Sequence, residues 1–310
     1  MQTNAPRTKR DEARGLWLGL LGVVIFSMTV PMTRLAVGPA SDPQLPPLFV
    51  TAGRAAFAGL LSVLYLAFTH APCVQRRHLA ALFTSALGTV VGFPLFLSLA
   101  LRQVDAMHAA VVTGLMPLAT AIGAAIFFRQ RPSNGFWFCA ALGCAMVLAF
   151  AAWRGSGQLS AADGFLLLAV FFTAVGYVAG ARVASELPAE QVICWVLVLS
   201  LPLTLPVALA TWPAAPVRAS AWGGFAYVTL FSMWLGFFAW YRGLALGGTV
   251  RVSQVQLVQP FLALLFAVLV LGETLDAVTV VFSLAVIAVV FVGKKMPAGA
   301  PVPVFQPKRL

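Results

Sequence analysis

Ten long apolar runs, separated by short polar connections, make up most of the sequence. A helix needs about 20 mostly apolar residues to cross a bilayer, and each run is roughly that long. No connection between them has room for a soluble domain. The chain is therefore predicted to be an all-α polytopic membrane protein with ten transmembrane helices. We number the runs spans 1 to 10: residues 15–35, 47–69, 79–101, 107–128, 134–152, 163–181, 190–211, 220–241, 250–271 and 275–293.

The composition supports a membrane environment and argues against nucleic acid as a partner. Hydrophobic residues make up 61% of the 310 residues and charged residues only 9%, whereas soluble domains carry about 25% charged residues. A net charge of +11 would suggest nucleic-acid binding in a soluble protein. Here the basic residues lie between apolar runs, which is typical of a topological signal. We therefore expect the lipid bilayer, and no nucleic acid, as a partner.

The basic residues also predict an orientation. Ten spans place both termini on one side, and fifteen of the twenty Lys and Arg residues fall on that side. Cytoplasmic loops carry such an excess, so we expect both termini in the cytoplasm, with the chain in a bacterial-type inner (plasma) membrane. Four basic residues between positions 7 and 14 lead into span 1. We expect that span to be retained as a transmembrane helix and not cleaved as a signal peptide.

The two halves of the chain resemble each other. Residues 107–130 align without a gap to residues 250–273 at an offset of 143, which pairs Pro117 with Pro260. Identity across the alignment is low, but its two prolines lie near the middle of spans 4 and 9. This internal symmetry is typical of transporters built from two copies of one helix bundle.

Each copy contains an odd number of spans. The first repeat covers 15–152 and the second 155–293, with five spans in each, between cytoplasmic tails at 1–14 and 294–310. Because five is odd, the second copy enters the membrane from the opposite side, so the repeats are inverted. In such folds the solute site lies near the midplane, between the halves. We therefore predict two inverted five-helix repeats around a central cavity.

Groups for catalysis, metal binding or ion coupling are scarce. All nine Asp and Glu residues fall in tails, loops or helix ends, whereas coupled carriers commonly use an intramembrane carboxylate. The four cysteines and three histidines show no metal-ligand spacing. We therefore predict no metal, no cofactor and no enzyme activity, and uncoupled or weakly coupled transport of a neutral or zwitterionic solute. The alternative is that Asp163 or Glu273 lies deeper than its run indicates.

Helix-breaking residues mark candidate gates. Proline removes a backbone hydrogen bond and kinks a helix, and glycine lets helices approach closely. Such residues lie toward the outside in the first repeat and toward the inside in the second. We predict that they bend as the outer and inner gates of an alternating-access cycle, with close helix packing as the alternative. They are Pro31, Gly92, Pro94, Gly176, Gly180 and Gly236.

Polar, aromatic and methionine side chains near the midplane predict the substrate cavity. Polar side chains in hydrocarbon usually face a bundle interior or a cavity, although hydrogen bonding between helices is an alternative. Such walls suit a small amphiphilic organic solute. The predicted cavity residues are Ser27, Met28, Thr113, Met116, Tyr177, Trp234, Phe238, Tyr241, Gln256 and Gln259.

Two arginines fall within spans. Arg34 lies at the outer end of span 1, where its side chain can reach the membrane surface. Arg54 lies deeper, in span 2, and an intramembrane arginine is a functional candidate. Two roles for Arg54 remain open: binding loop carbonyls at the outer rim, or meeting a substrate carboxylate.

Several of these residues form recognisable motifs. They are Arg54 at the end of Phe49-Val50-Thr51-Ala52-Gly53-Arg54, Pro117 with Gln130, and Ser253 followed by Pro260 and Leu271-Gly272-Glu273. Together they resemble the drug/metabolite transporter superfamily, in its ten-helix branch with two EamA-type repeats, over about residues 15–293. The first repeat departs from that pattern, because it carries Gln130 where the family usually has Glu. A structural role at the helix end is therefore favoured for Glu273.

The resemblance implies a cavity formed mainly by spans 1, 3, 4, 6, 8 and 9. Spans 5 and 10 would pack at the periphery, where a homodimer would form. Family members export amino acids and other metabolites, and the YddG-like amino-acid exporters share this architecture. We therefore expect an exporter of small neutral or zwitterionic metabolites, amino acids first. Efflux of amphiphilic drugs or nucleobase-like compounds is one alternative, and an intramembrane enzyme or scaffold is another.

Overall fold

A computed structural model describes residues 9–127, 133–154, 159–184, 186–247 and 254–295. In that part of the chain every predicted span is helical, and the boundaries lie close to those predicted from the apolar runs. The helices are Lys9–Ser27 and Thr29–Val37 (span 1), Pro47–Phe68 (span 2), Arg76–Ser85, Ala86–Gly92 and Phe93–Ala100 (span 3), Ala106–Thr113 and Met116–Phe127 (span 4), Asn134–Arg154 (span 5), Ala161–Ala184 (span 6), Ala189–Ala210 (span 7), Ala219–Tyr227, Val228–Leu235 and Gly236–Gly247 (span 8), Gln254–Val258 and Gln259–Leu271 (span 9), and Ala277–Lys295 (span 10).

The helices have the length and surface of a membrane bundle. Eight helices of the described part are long and apolar enough to cross a membrane, and Gln259–Leu271 and Ala277–Gly293 are shorter apolar helices. Many large apolar side chains face outward, such as Phe68 at 81% exposure and Leu269 at 69%. Such an apolar surface is suited to lipid, where backbone hydrogen bonds must be satisfied within the protein, as they largely are in helices. The predicted all-α polytopic membrane fold is confirmed.

Helix pairing follows the symmetry of the repeat. Span 1 packs along span 8, span 3 along span 6, span 2 along span 7, and span 5 along span 10. The repeat relates spans 1–5 to spans 6–10 in order. If each span is replaced by its equivalent, the 1–8 pair becomes the 6–3 pair, and the 2–7 and 5–10 pairs become themselves. Spans 5 and 10 thus pack against each other; the homodimer expected at this position remains a prediction.

The ion pairs agree with a chain that crosses the membrane at every span. We call the side that carries residues 9 and 295 the termini side, and the other the distal side. Arg77 and His78 pair with Glu186 on the termini side, and Arg218 pairs with Asp42 on the distal side, at 2.6 Å. Three further ion pairs, Arg34–Asp105, His108–Asp163 and Arg242–Glu190, likewise join groups on the same side.

Spans 1, 4 and 9 each contain a break beside a proline. Met28 separates the two helices of span 1, three residues before Pro31. In span 4 the break comes at residues 114–115, just before Pro117, and in span 9 a 3₁₀ turn precedes Pro260. A proline has no N–H to donate to the carbonyl four residues earlier, so the α-helical hydrogen bonding is interrupted there. The breaks in spans 4 and 9 occupy equivalent positions of the repeat.

Spans 3 and 8 are instead widened by π-helical turns at related positions. In span 3 the segment Ala86–Gly92 ends just before Pro94, and in span 8 Val228–Leu235 ends just before Gly236. The amide of Gly236 donates to the carbonyl of Phe231, five residues earlier. π-helical turns occur frequently at functional sites. The predicted weak points Gly92, Pro94 and Gly236 thus lie where two repeat-related segments return to α geometry.

The structure differs from the sequence expectation at Gly176 and Gly180. Span 6 continues through both residues as the unbroken helix Ala161–Ala184, so neither marks a bend. Instead they allow close packing: a Cβ on Gly176 would lie 2.7 Å from the Cγ2 of Thr89, and one on Gly180 would lie 3.0 Å from the Oγ of Ser85. The alternative of close helix packing describes this place better than a hinge.

The contact between spans 3 and 6 predicts a sharp sensitivity to a single methyl group. A Cβ on Gly88 would lie 2.5 Å from the Cα of Gly176, and its nearest neighbours are backbone atoms, which cannot move aside as a flexible side chain can. We expect Gly88→Ala to destabilise the protein by about 1–3 kcal/mol, measured as a lower thermal unfolding midpoint in detergent. The matched control is Gly164→Ala in span 6, where no atom lies within 4 Å of the added Cβ. Equal midpoints for the two variants would contradict the packing described.

Candidate substrate cavity

A cavity lies in the centre of the bundle, at the level of the helix breaks. It contains about 890 Å³ of space free of protein atoms, a volume that includes its open mouth. Its walls come from spans 1, 2, 3, 4, 6, 8 and 9. The family resemblance implied all of these except span 2, which contributes Arg54.

Seven residues singled out from the sequence line this cavity. They come from spans 1, 2, 4, 6 and 9, which are far apart in the chain. Their common location follows from the inverted pairing of the two repeats. They are Ser27, Arg54, Thr113, Met116, Tyr177, Gln256 and Gln259.

Four predicted cavity residues lie elsewhere. Met28 occupies the break of span 1. Trp234 and Phe238 pack with Tyr65, with ring centroids 6.4 Å and 5.0 Å from the tyrosine, and Tyr241 packs against Phe237. The prediction chose the span 8 residues by type and depth, which do not show which side of the helix faces the cavity, and the π-helical turn changes that orientation. Met233 and Phe237 face the cavity instead.

Sequence reasoning also missed several polar and aromatic lining residues. Serine and threonine occur throughout the spans, and most bond their own helix backbone, so their type alone did not distinguish them. Phenylalanine is the commonest aromatic residue in the chain and is equally uninformative. The usable signal was proximity in sequence to the helix-breaking residues Pro31, Gly92, Pro94 and Gly236. The missed side chains include Phe26, Thr29, Thr89, Phe93, Thr173 and Ser232.

At the three breaks, backbone carbonyls of residues that line the cavity lack their α-helical donors. Pro31, Pro117 and Pro260 leave the carbonyls of residues 27, 113 and 256 without their α-helical donors. Each of those residues lines the cavity. Interrupted helices in transporters present such carbonyls to substrates and ions. The cavity is therefore supplied with neutral hydrogen-bond acceptors.

Arg54 is the one charged residue among those that line the cavity. Its side chain is 2% exposed, and its Nη2 donates a hydrogen bond to the Oγ of Ser232 at 3.1 Å. Ser232 is in turn 2.8 Å from the Oγ1 of Thr29. Among the described residues Arg54 bonds this side-chain hydroxyl of span 8 and no loop carbonyl. The first role considered from the sequence, binding loop carbonyls, therefore does not describe its contacts.

Asp163 is more buried than the sequence predicted. Although it lies in the first turn of span 6, it is only 3% exposed. Its Oδ1 lies 2.6 Å from the Nε2 of His108, and its Oδ2 accepts hydrogen bonds from the backbone N–H and hydroxyl of Ser160. The carboxylate thus ties the distal ends of spans 4 and 6 together, and it does not line the cavity.

Glu273 holds the start of span 4 on the distal side. Its two carboxylate oxygens accept hydrogen bonds from the backbone N–H groups of Ala106 and Met107, at 2.8 Å each. Burial raises the pKa of Glu273, while these two N–H groups favour its ionised form. This is the structural role at a helix end that its motif suggested. Its repeat equivalent, Gln130, lies outside the described residues.

Arg34, in span 1, makes further polar contacts on the distal side. It bonds the carbonyl of Leu101, and its Nη2 lies 3.7 Å from the Oδ1 of Asp105. Together with Glu273 it joins the distal ends of spans 1, 4 and 9. In the described part of the chain, no group of three His, Cys, Asp or Glu residues is placed to hold a metal ion.

This architecture matches a known family of membrane proteins. The family model described as "EamA-like transporter family" matches residues 13–152 and 160–293, which together are most of the chain. The chain belongs to the EamA-like transporter family. The two matched segments place this transporter's family repeats on spans 1–5 and 6–10.

Two known proteins illustrate the transporter's relationships. It is 41% identical over 284 residues to the protein named "Uncharacterized transporter YdeK" from Bacillus subtilis (strain 168), covering 90% of this chain and 96% of that protein. A solved crystal structure with 17% sequence identity superposes with a TM-score of 0.60, over 91% of this chain and 96% of that one. At that identity the likeness shows a shared fold.

Loss of the Glu273 carboxylate is expected to destabilise the distal side. In Glu273→Gln the amide offers one oxygen in place of two and carries no charge to interact with the start of span 4. We expect a loss of about 1–2 kcal/mol, seen as a lower thermal unfolding midpoint in detergent.

The control for Glu273→Gln is Asp42→Asn, on the same side, which removes an exposed ion pair worth less than about 1 kcal/mol. A Glu273→Gln midpoint equal to or above that of Asp42→Asn would contradict the role assigned to Glu273.

Proposed function

We propose that this transporter exports small neutral or zwitterionic metabolites, amino acids in particular, by alternating access. We place it in the inner (plasma) membrane with both termini in the cytoplasm, on the strength of the loop charge bias. Membership of the EamA-like family and identity to another protein named a transporter support a transport role. Neither comparison names a substrate, so the proposed substrate class is based on the cavity.

The proposed substrate class is based on the charge and polarity of the side chains that line the cavity. One cation, Arg54, stands among hydroxyl and amide groups, and no lining residue is acidic. Aromatic and methionine side chains such as Phe26, Tyr177 and Met233 form the apolar walls. A solute with a small charged end and an uncharged remainder fits such a site, because each part meets a matching surface.

Neutral acceptors complete the match to a zwitterion. A solute ammonium group needs acceptors, and the cavity offers the carbonyls at the three breaks and the side-chain amides of Gln256 and Gln259. These groups bind an ammonium without placing a second buried charge in the membrane, where an unpaired carboxylate would be costly. Uncoupled or weakly coupled transport follows, since the lining holds no acidic proton carrier.

Alternating access is supported by the equivalent breaks in the two repeats. The midpoints of spans 4 and 9 are interrupted at Pro117 and Pro260, which lets the halves of each span tilt independently. On the distal side, Glu273 and Arg34 join spans 1, 4 and 9. Release of these few polar contacts would open the cavity to that side while the packed spans move as rigid bodies.

Two alternatives fit the cavity less well. Cationic amphiphilic drugs would meet Arg54 with no acidic lining residue to offset the repulsion. An intramembrane enzyme would need an activated nucleophile or an acid–base pair at the cavity, and the lining residues supply neither. Nucleobase-like compounds are the remaining alternative for the aromatic walls.

Counterflow in proteoliposomes tests the proposed function. We expect exchange of at least one labelled amino acid without a pH gradient, because the cavity holds no acidic coupling group. Exchange of no amino acid would contradict the substrate class, and exchange only with a gradient would contradict uncoupled transport. Export is checked in cells, where overproduction is expected to raise release of the same amino acid into the medium.

A pair of tryptophan variants links that activity to the cavity. Ala263 lines the cavity and is 5% exposed, whereas Val281 in span 10 is 61% exposed on the outer surface. Ala263→Trp is expected to reduce counterflow at least about tenfold by filling the site, and Val281→Trp to leave it near the wild-type rate. Similar rates for both variants would place the transport path elsewhere.

A further inference from the structure

Arg54 uses only part of its hydrogen-bonding capacity. A guanidinium has five N–H donors, and the Nη2 of Arg54 bonds Ser232. The Nε and Nη1 atoms are buried and have no hydrogen-bond partner among the described residues. Buried polar groups are nearly always partnered, so two unpartnered nitrogens on one side chain indicate a missing ligand.

The charge of Arg54 is unbalanced as well. Among the described residues, no carboxylate lies within ion-pair distance of it, whereas Arg34, Arg77, Arg218 and Arg242 each have an acidic partner. A charged side chain within a membrane span is costly unless it is paired or lines a path for a substrate. Arg54 lines the cavity, which makes the second explanation the consistent one.

The surrounding contacts hold the guanidinium in place. Ser232 in span 8 bonds Arg54 in span 2, and Thr29 at the break of span 1 bonds Ser232. All three side chains are buried and all three line the cavity. A purely structural link between spans 2 and 8 would need only one of the five donors. The network instead positions a cation whose remaining donors are unused.

We propose that Arg54 is the anion subsite of the cavity and binds the carboxylate of the transported solute through Nε and Nη1. This inference rests on the proposed function and specifies it, because it requires a free carboxylate on every good substrate. One guanidinium pairs with one carboxylate, so a monocarboxylate matches the single cation of the lining. A phosphate dianion would leave a net negative charge in an apolar cavity with no second cation in its lining.

Matched pairs of amino acids and their amides test this subsite. The probes are L-phenylalanine, L-leucine and L-threonine with the corresponding L-amino-acid amides, each competing against counterflow of a labelled amino acid. In the wild type we expect each acid to compete at least about 30-fold better than its amide, as for loss of one partner of a buried charged hydrogen bond. In Arg54→Gln the preference is expected to disappear, and in Arg54→Lys to be retained in part.

Two further variants control for misfolding. Arg102→Gln removes a half-buried arginine that bonds the carbonyl of Leu45 on the distal side, and it should keep the full preference for acids. Ser232→Ala keeps the charge of Arg54 but removes its support, and it should weaken the preference without abolishing it. If the Arg54 variants do not fold, the wild-type preference and Ser232→Ala decide the question.

The outcomes separate this inference from the proposed function. Wild-type counterflow that acids and amides inhibit equally would overturn the carboxylate subsite while leaving amino-acid transport intact. A preference for acids that persists in a folded Arg54→Gln would place the anion subsite at another residue. Absence of any amino-acid counterflow in the wild type would instead reject the proposed function and this subsite with it.

Discussion

The cavity depends on three prolines, Pro31, Pro117 and Pro260, which interrupt backbone hydrogen bonding within spans 1, 4 and 9. Hydrocarbon offers no hydrogen bonds, so a carbonyl that loses its helical donor must face protein or an internal cavity. Spans 1, 4 and 9 each lose such a donor at a residue that lines the central cavity. The breaks therefore both require a polar interior and help to create it. The π-helical turns of spans 3 and 8 widen the bundle at the same level.

The two repeats are related by symmetry, but equivalent spans differ in structure and in sequence. Spans 4 and 9 break at equivalent positions, yet span 1 is interrupted while its equivalent, span 6, is a continuous helix. Span 6 instead packs closely on span 3 through Gly88 and Gly176. Glu273 closes the distal side, and the sequence places an uncharged Gln130 at the equivalent position. This asymmetry suits a carrier whose two gates need different strengths.

The sequence predicted the bundle better than the cavity, for physical reasons. Apolar run length and the similarity of the two halves can be read from the sequence, and they predicted ten helical spans and the inverted repeat. Which face of a helix meets the cavity depends on helical phase, and in the π-helical turn of span 8 Met233, and not Trp234, lines the cavity. The burial of Asp163 depends on His108, 55 residues away, which no local pattern contains. The depth of Arg54 in span 2 identified it as a functional candidate, but its hydrogen bond to Ser232 became visible only in the folded structure.

Movement of the distal ends of spans 4 and 9 tests alternating access most directly. Spin labels at Gln103→Cys and Leu275→Cys, in a protein lacking its four native cysteines, report the distance between those ends in liposomes by pulsed electron paramagnetic resonance. Alternating access predicts a short and a long population, with the long one increased in a Glu273→Gln background because the distal contact is weakened. A single short distance, unchanged in that background and by added amino acid, would contradict it.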